Sequence, residues 1–210
     1  MKANELQRLT TAINLDRLLF IYKNEATTPL RLLVQGTAGT GKTYIIRSLS
    51  YIARRMEGRN NAVLNLAPTG SAANLLPMGR TVHSTAPPKR NTKNSNTVQM
   101  SDYPLSIKKY KNHKKLQQIV GLQEHQTQLK VLNIDERSMF SKSFLGWCSQ
   151  RFTEVTNNND NSFGSIPIVN FFGDLGQLGP VESRALHIRP AQTAAPAELA
   201  GLGVYRDLKT

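Results

Sequence analysis

One octapeptide limits what this chain can fold into more than any other stretch. It reads Gly36-Thr37-Ala38-Gly39-Thr40-Gly41-Lys42-Thr43. It fits G-x-x-x-x-G-K-[ST], a loop that wraps phosphate in backbone N–H groups. Glycines let the main chain curl so that those groups point inward. The helix that follows turns its positive dipole end toward the same anion. Lys42 would reach the β- and γ-phosphates, and the Thr43 hydroxyl would take one Mg²⁺ position. Such a loop needs a buried strand before it and a helix after it. Leu30 to Gln35 is an apolar strand run, and Ile45, Ile46, Leu49, Ile52 and Met56 recur at helical spacing.

The chain has 210 residues and a net charge of +13. That length supports one sizeable core. The basic surplus suggests a polyanionic partner such as nucleic acid. Cys148 is the single cysteine, so no internal disulfide can form. A reducing, intracellular compartment fits best. The histidines, His83, His113, His125 and His187, are scattered and have no cysteine partners, which argues against a zinc site. No apolar run approaches the length of a membrane span, and no membrane partner is expected. The polar N-terminus resembles no targeting peptide.

Residues 4–24 predict an amphipathic helix, with Leu6, Leu9, Ile13 and Leu18 or Leu19 toward a core. Further strands are expected at 62–67, 131–134 and 166–172, with helical patterns between them. The fold class is therefore α/β, a parallel sheet with helices on both faces. Ligands in such sheets sit at the carboxyl ends of the strands, where the polar signatures of this sequence fall. Residues 87–115 interrupt the pattern with eight basic residues against one acid, Asp102. They are either a basic arm for phosphates or a solvated loop. The Asn-rich turn 157–161 carries no recognisable chemistry.

Asp135-Glu136 follows the strand ending at Ile134. A carboxylate there can support Mg²⁺, and its neighbour can deprotonate an attacking water. A helix N-terminus is the commoner reason for such a pair, but downstream of a phosphate loop the nucleotide role gains weight. Gly173-Asp174-Leu175-Gly176-Gln177-Leu178 follows the fourth strand. Gln177 is placed to sense a γ-phosphate; a polar turn capped by Asp174 is the simpler alternative.

Together these segments resemble the PIF-one family of superfamily-one DNA helicases, including the helicase domain of Helitron transposases. Asn4-Glu5-Leu6-Gln7 looks like the family's L-N-x-x-Q, which implies that Gln7 reads the adenine edge. Gly36 to Thr43 matches G-T-A-G-T-G-K-T in full. Ala67-Pro68-Thr69-Gly70-Ser71-Ala72-Ala73 and Gly79-Arg80-Thr81-Val82-His83-Ser84 are similar to A-P-T-G-x-A-A and G-x-T-[IV]-H-S. That likeness puts Pro68, Thr69, Gly70, Thr81 and His83 on the single-stranded DNA side. Ile134 to Met139 follows I-D-E-x-S-M except that Arg137 stands at an apolar position. Phe163-Gly164 and Gly173 to Val181 follow F-G-G and G-D-F-x-Q-L-P-P-V, with Gly176 and Gly179 in place of an aromatic and a proline. Those two exchanges imply a looser loop around Gln177.

The resemblance implies a RecA-like P-loop domain that hydrolyses ATP with Mg²⁺ and moves 5′ to 3′ on single-stranded DNA. DNA repair, recombination or telomere maintenance would be its setting. Residues 1–28 would form an N-terminal helical segment and 29–190 the first RecA-like domain, with the basic insertion at 87–115. Residues 191–210 would be an incomplete tail, without the second RecA-like domain. Asp135 would support the metal, Glu136 act as general base, and Asp174 and Gln177 link phosphate state to DNA grip. Two alternatives stand beside this. One is a truncated module that binds nucleotide and DNA but does little chemistry, since an arginine from the missing domain is worth roughly 10³–10⁵ in rate elsewhere. The other is a different P-loop ATPase, such as a clamp-loader-like machine. Asn65, Asn133 and Asn170 fall in presumed central strands. Each costs on the order of 1–3 kcal/mol if buried unpaired. A neighbouring backbone group is the ordinary partner, but three together suggest a copy under relaxed selection.

Overall fold

The structure, a computed structural model, describes residues 3–25, 28–85, 128–156, 158, 161–174, 176, 177, 179, 180, 186 and 196–208. The basic stretch 87–115 and the motif's last residue, Val181, lie outside the described residues, as does most of the 157–161 turn.

Five described strands form one sheet: β1 (Leu30–Gln35), β2 (Val63–Ala67), β3 (Arg80–Thr81), β4 (Val131–Ile134) and β5 (Ile168–Gly173). Their order is β1-β5-β4-β2-β3, and every pair is parallel. The expected α/β class therefore holds. Strand β1 matches its expected bounds, while β5 starts two residues late, after Pro167. The two-residue β3 carries no periodic signal and was legible only as part of a motif.

Helices α1 (Glu5–Tyr22) and α2 (Lys42–Glu57) cover one face. Leu18, Leu30, Leu32, Ala53, Val63, Val131 and Ile168 pack between them and the sheet. Ile45, Ile46, Leu49, Ala67 and Phe172 continue that layer toward the carboxyl ends. Helix α5 (Lys142–Thr156) covers the other face with Phe144, Leu145, Trp147, Cys148 and Phe152. It meets Leu33, Leu66, Ile134, Val169 and Phe171, the alternate residues of the same strands. The last helix, α6 (Pro196–Arg206), lies against α5 and buries Val204. The short helices α3 (Gly70–Asn74) and α4 (Val82–Thr85) follow β2 and β3.

The N-terminal helix departs from expectation. Leu6 and Leu9 are 72% and 56% exposed, and Ile13 and Leu19 are also exposed. The side turned to the sheet carries Asn14 and Leu18 instead. The hydrophobic pattern failed because α1 is apolar on two sides and its buried side is anchored by a polar residue.

That anchor belongs to a ladder of carboxamides. Asn65, Asn133 and Asn170 are register partners on adjacent strands and point to the α1–α2 face. Asn133 Nδ2 donates to Asn65 Oδ1 at 2.8 Å, and Asn170 Nδ2 donates to Asn133 Oδ1 at 2.9 Å. Asn170 Nδ2 also donates to Asn14 Oδ1 at 2.8 Å, and Asn14 Nδ2 to the Thr10 carbonyl at 2.9 Å. At the far end Asn65 Nδ2 donates to Ser50 Oγ at 3.0 Å and to the Pro77 carbonyl at 2.7 Å. The amides therefore satisfy one another. The unpaired amides that would have pointed to relaxed selection are not found here. Asn170 Oδ1 is the one ladder oxygen left without a partner among the described residues.

Removing the middle rung strands a buried N–H donor on Asn170 and leaves Asn65 Oδ1 with the Ser50 hydroxyl alone, at 3.2 Å. Asn133→Ala is expected to lower unfolding stability by roughly 1–3 kcal/mol, read from the urea midpoint. An unchanged midpoint would show that the ladder contributes nothing.

Candidate nucleotide-binding site

The sheet's register sets the site. Leu33 and Ile134 both pair with Phe171, so β1 and β5 end together and β4 ends two residues before them at the same edge of the sheet. Strand β5 lies between β1 and β4, which places the phosphate loop and the acid pair two strand spacings apart, about 10 Å. The Gly36 N–H donates to the Gly173 carbonyl at 3.1 Å, tying the loop's first residue to the end of β5.

Gly41 has φ 84°, a left-handed conformation that a side chain disfavours, and it caps α2 without a side-chain hydrogen bond. The first turn of α2 holds no acid. Its leading N–H groups therefore keep no capping oxygen, which is the arrangement an anion needs. Lys42 Nζ donates to the carbonyls of Gly36 and Thr37 at 2.7 and 2.9 Å, so the ammonium lies folded across the loop. Thr40 Oγ1 donates to the Thr37 carbonyl at 2.8 Å and closes the bend around Ala38 and Gly39. Thr43 follows, half-buried, in the first turn of α2.

Gln7 meets this loop from α1. Its Nε2 donates to the Thr40 carbonyl at 2.8 Å, and its Oε1 accepts the Asn4 N–H at 3.0 Å. Asn4 Oδ1 accepts the Gln7 N–H in return, a capping box that fixes the helix start. A cleft of about 400 Å³ lies between the two elements, lined by Gln7, Leu9, Val34, Gly36, Thr40 and Lys42.

Asp135 is 7% exposed. Burial lifts its carboxyl above the usual 3.8, and the Glu136 charge adds to that; the Glu136 N–H, donating to Oδ1 at 2.9 Å, and the Lys42 charge oppose it. Asp135 thus feels the ammonium of the phosphate loop across β5. Glu136 adopts φ 52°, which ends β4 and opens the turn Arg137–Met139. Asp174 follows β5 at the same end; its Oδ1 accepts the Gly176 N–H at 2.9 Å and its carbonyl accepts the Gln177 N–H at 3.2 Å. Gln177 is half-buried in that turn.

A divalent cation suits the donors present. Asp135 is a desolvated carboxylate, and Thr43 supplies a hydroxyl at a helix start. Among the described residues no group of three or more His, Cys, Asp or Glu could hold a metal. Phosphate oxygens would have to complete the shell, as they do for a Mg²⁺ that arrives with a nucleotide.

The other residues implicated by motif sit beside β4 on β2 and β3. Ala67 pairs with Thr81, which brings Pro68, Thr69 and Gly70 next to Thr81. Thr69 Oγ1 caps α3 by accepting the Ala72 N–H at 3.2 Å, and Thr81 Oγ1 accepts the Ser84 N–H at 3.1 Å. His83 stacks on Phe144 with ring centroids 5.1 Å apart, and burial keeps its imidazole below the ordinary 6.5. It is therefore neutral at pH 7 and offers a hydrogen bond rather than a charge.

Arg137 was noted from the sequence only as a departure. It is fully buried at the same strand ends. Its side chain runs over Gly173, where a Cβ would lie 2.6 Å from Arg137 Cγ. Nη2 donates to Gln35 Oε1 at 3.3 Å, while Nε and Nη1 have no hydrogen-bond partner among the described residues. Burial lowers its pKa, against the pull of Tyr205 and Asp174. A buried cation without a contacting carboxylate costs stability. Arg137→Met is expected to raise the urea midpoint by about 1–2 kcal/mol equivalent. A fall would show that the guanidinium holds the strand ends together.

No curated protein matches the chain. Among solved structures it is similar to the Pif1 helicase of Candida albicans (TM-score 0.60, 24% identity, 86% of this chain and 34% of that one). It is also similar to a Bacteroides sp. Pif1 in complex with ADP-AlF4 (TM-score 0.54, 23% identity, 88% and 35%). A third likeness is to Bacteroides Pif1 bound to single-stranded DNA (TM-score 0.51, 24% identity, 87% and 34%). These likenesses show the fold, and the chain spans about a third of their length. The model of the PIF1-like helicases matches residues 20–195, and the chain belongs to that family.

Proposed function

We propose that this chain is the nucleotide-binding motor portion of an ATP-dependent DNA helicase. In this proposal it couples ATP hydrolysis to 5′-to-3′ movement on single-stranded DNA, in DNA repair, recombination or telomere maintenance. The observation that carries it is one geometry: an uncapped helix start with Lys42 across it, at the same edge of the sheet as a buried carboxylate that senses the same ammonium. An anion at that helix start would draw Lys42 off the Gly36 and Thr37 carbonyls. Magnesium, when bound with the nucleotide, supplies charge neutralisation at the phosphates. Thr43 and Asp135 are the residues that would hold it. Glu136 is the base for the attacking water, and Asp174 and Gln177 report phosphate state. Gln7 reaches the adenine edge only by giving up its bond to Thr40 or to Asn4. Pro68, Thr69, Gly70, Thr81 and His83 form the DNA edge in this reading; a protein of this fold solved with single-stranded DNA supports the choice of ligand.

Lys42→Ala is expected to lower ATP turnover by about 10²-fold or more, with the urea midpoint little changed. Undiminished turnover would refute the site. Binding of ADP with no turnover, even with single-stranded DNA added, would favour the truncated module.

Asp135 also links pH to stability. Its folded pKa is raised, so the folded chain holds the proton more tightly than the unfolded one. Stability is therefore lost as pH rises from 3.8 through the folded value. Asp135→Asn is expected to flatten that part of the profile and to match or exceed the wild-type urea midpoint at pH 7, while losing magnesium-dependent hydrolysis. A lower midpoint at pH 7 would contradict this account of the burial cost.

A further inference from the structure

We propose that the outer face of α2 is a second nucleic-acid contact, gripping single-stranded backbone with arginines and stacking a base on Tyr51. Tyr44, Arg47, Tyr51 and Arg55 recur at helical spacing and are all exposed, Tyr51 at 71% and Tyr44 at 52%. Below them a hollow of about 630 Å³ is lined by Arg47, Tyr51, Arg54, Arg55, Arg59 and Pro77. The one acid of α2, Glu57, is paired with Arg59 at 3.3 Å.

The arginines divide by role. Arg54 donates to the carbonyls of Asn60, Val63 and Pro77 at 3.1, 3.4 and 3.3 Å, so it builds the floor. Arg47 donates a single bond, 3.1 Å, to the Leu75 carbonyl, which orients its guanidinium along the rim. Arg55 and Arg59 are exposed beside it. Guanidinium groups alternating with exposed aromatic rings match a strand whose phosphates and bases alternate. One residue of the lining, Pro77, lies in the loop that leads into β3. The assignment rests on the proposed DNA role only for the identity of the ligand, and the two can fail separately.

Fluorescence anisotropy of the 210-residue chain with a labelled oligothymidylate tests it. The variants are Arg47→Ala/Arg55→Ala, Tyr51→Ala and, on the other edge, Thr81→Ala/His83→Ala. Arg54 is left intact because it holds the loop. The arginine pair is expected to weaken binding about tenfold at low salt and to flatten the salt slope by roughly 0.7 per arginine. Tyr51→Ala is expected to weaken single-strand binding at least about fivefold and to leave binding to a labelled duplex nearly unchanged. Unchanged affinity and slope in the α2 variants would overturn the proposal, as would equal losses of duplex and single strand in Tyr51→Ala. If binding is lost only in Thr81→Ala/His83→Ala, the α2 contact falls and the edge at β2 and β3 stands. If it is lost only in the α2 variants, the α2 contact stands and the edge falls.

Discussion

Three buried carboxamides in register across β2, β4 and β5 are the constraint on which the rest of this structure depends. A parallel sheet covered on both faces has little to specify its register, because apolar contacts slide at small cost. A hydrogen-bonded amide does not. Slipping any of these strands would break two bonds in a place water does not reach. The ladder also reaches beyond the sheet. Asn14 fixes the rotation of α1, and Ser50 fixes that of α2. Pro77 ties in the loop before β3.

With the register fixed, the chemistry collects at one end. Strand β1 delivers the phosphate loop, β4 the acid pair, β5 Asp174, and β2 with β3 the Thr69 and Thr81 hydroxyls. Gln7 arrives there because α1 cannot turn without breaking its bond at Asn14. The carboxyl end is the polar end, where helix starts point inward and side chains converge. The same polarity has a cost, visible in the desolvated Asp135 and in Arg137, whose guanidinium lies under the strand ends with two nitrogens unpaired among the described residues.

Much of this was legible in the chain itself. The octapeptide fixed β1 and α2 because the loop works only between such elements, and the apolar runs placed β2, β4 and β5 within two residues. The buried side of α1 was not legible, since Leu6, Leu9 and Ile13 form a better stripe than Asn14 and Leu18. Nor was the ladder. A pattern that scores each strand separately registers three poor residues, and only the pairing shows that they answer one another. Arg137 was visible as an exception, but its burial was not, because burial depends on Gly173 and Gln35 brought from distant parts of the chain.

The central claim is that these strand ends form a single site for a nucleotide triphosphate. The most direct test is a backbone NMR titration of the chain with a non-hydrolysable ATP analogue and magnesium. The expected result is that amides of Gly36 to Thr43, Asp135, Glu136 and Asp174 shift together along one saturating curve. Shifts confined to the loop, or separate curves for the loop and the acids, would contradict the account.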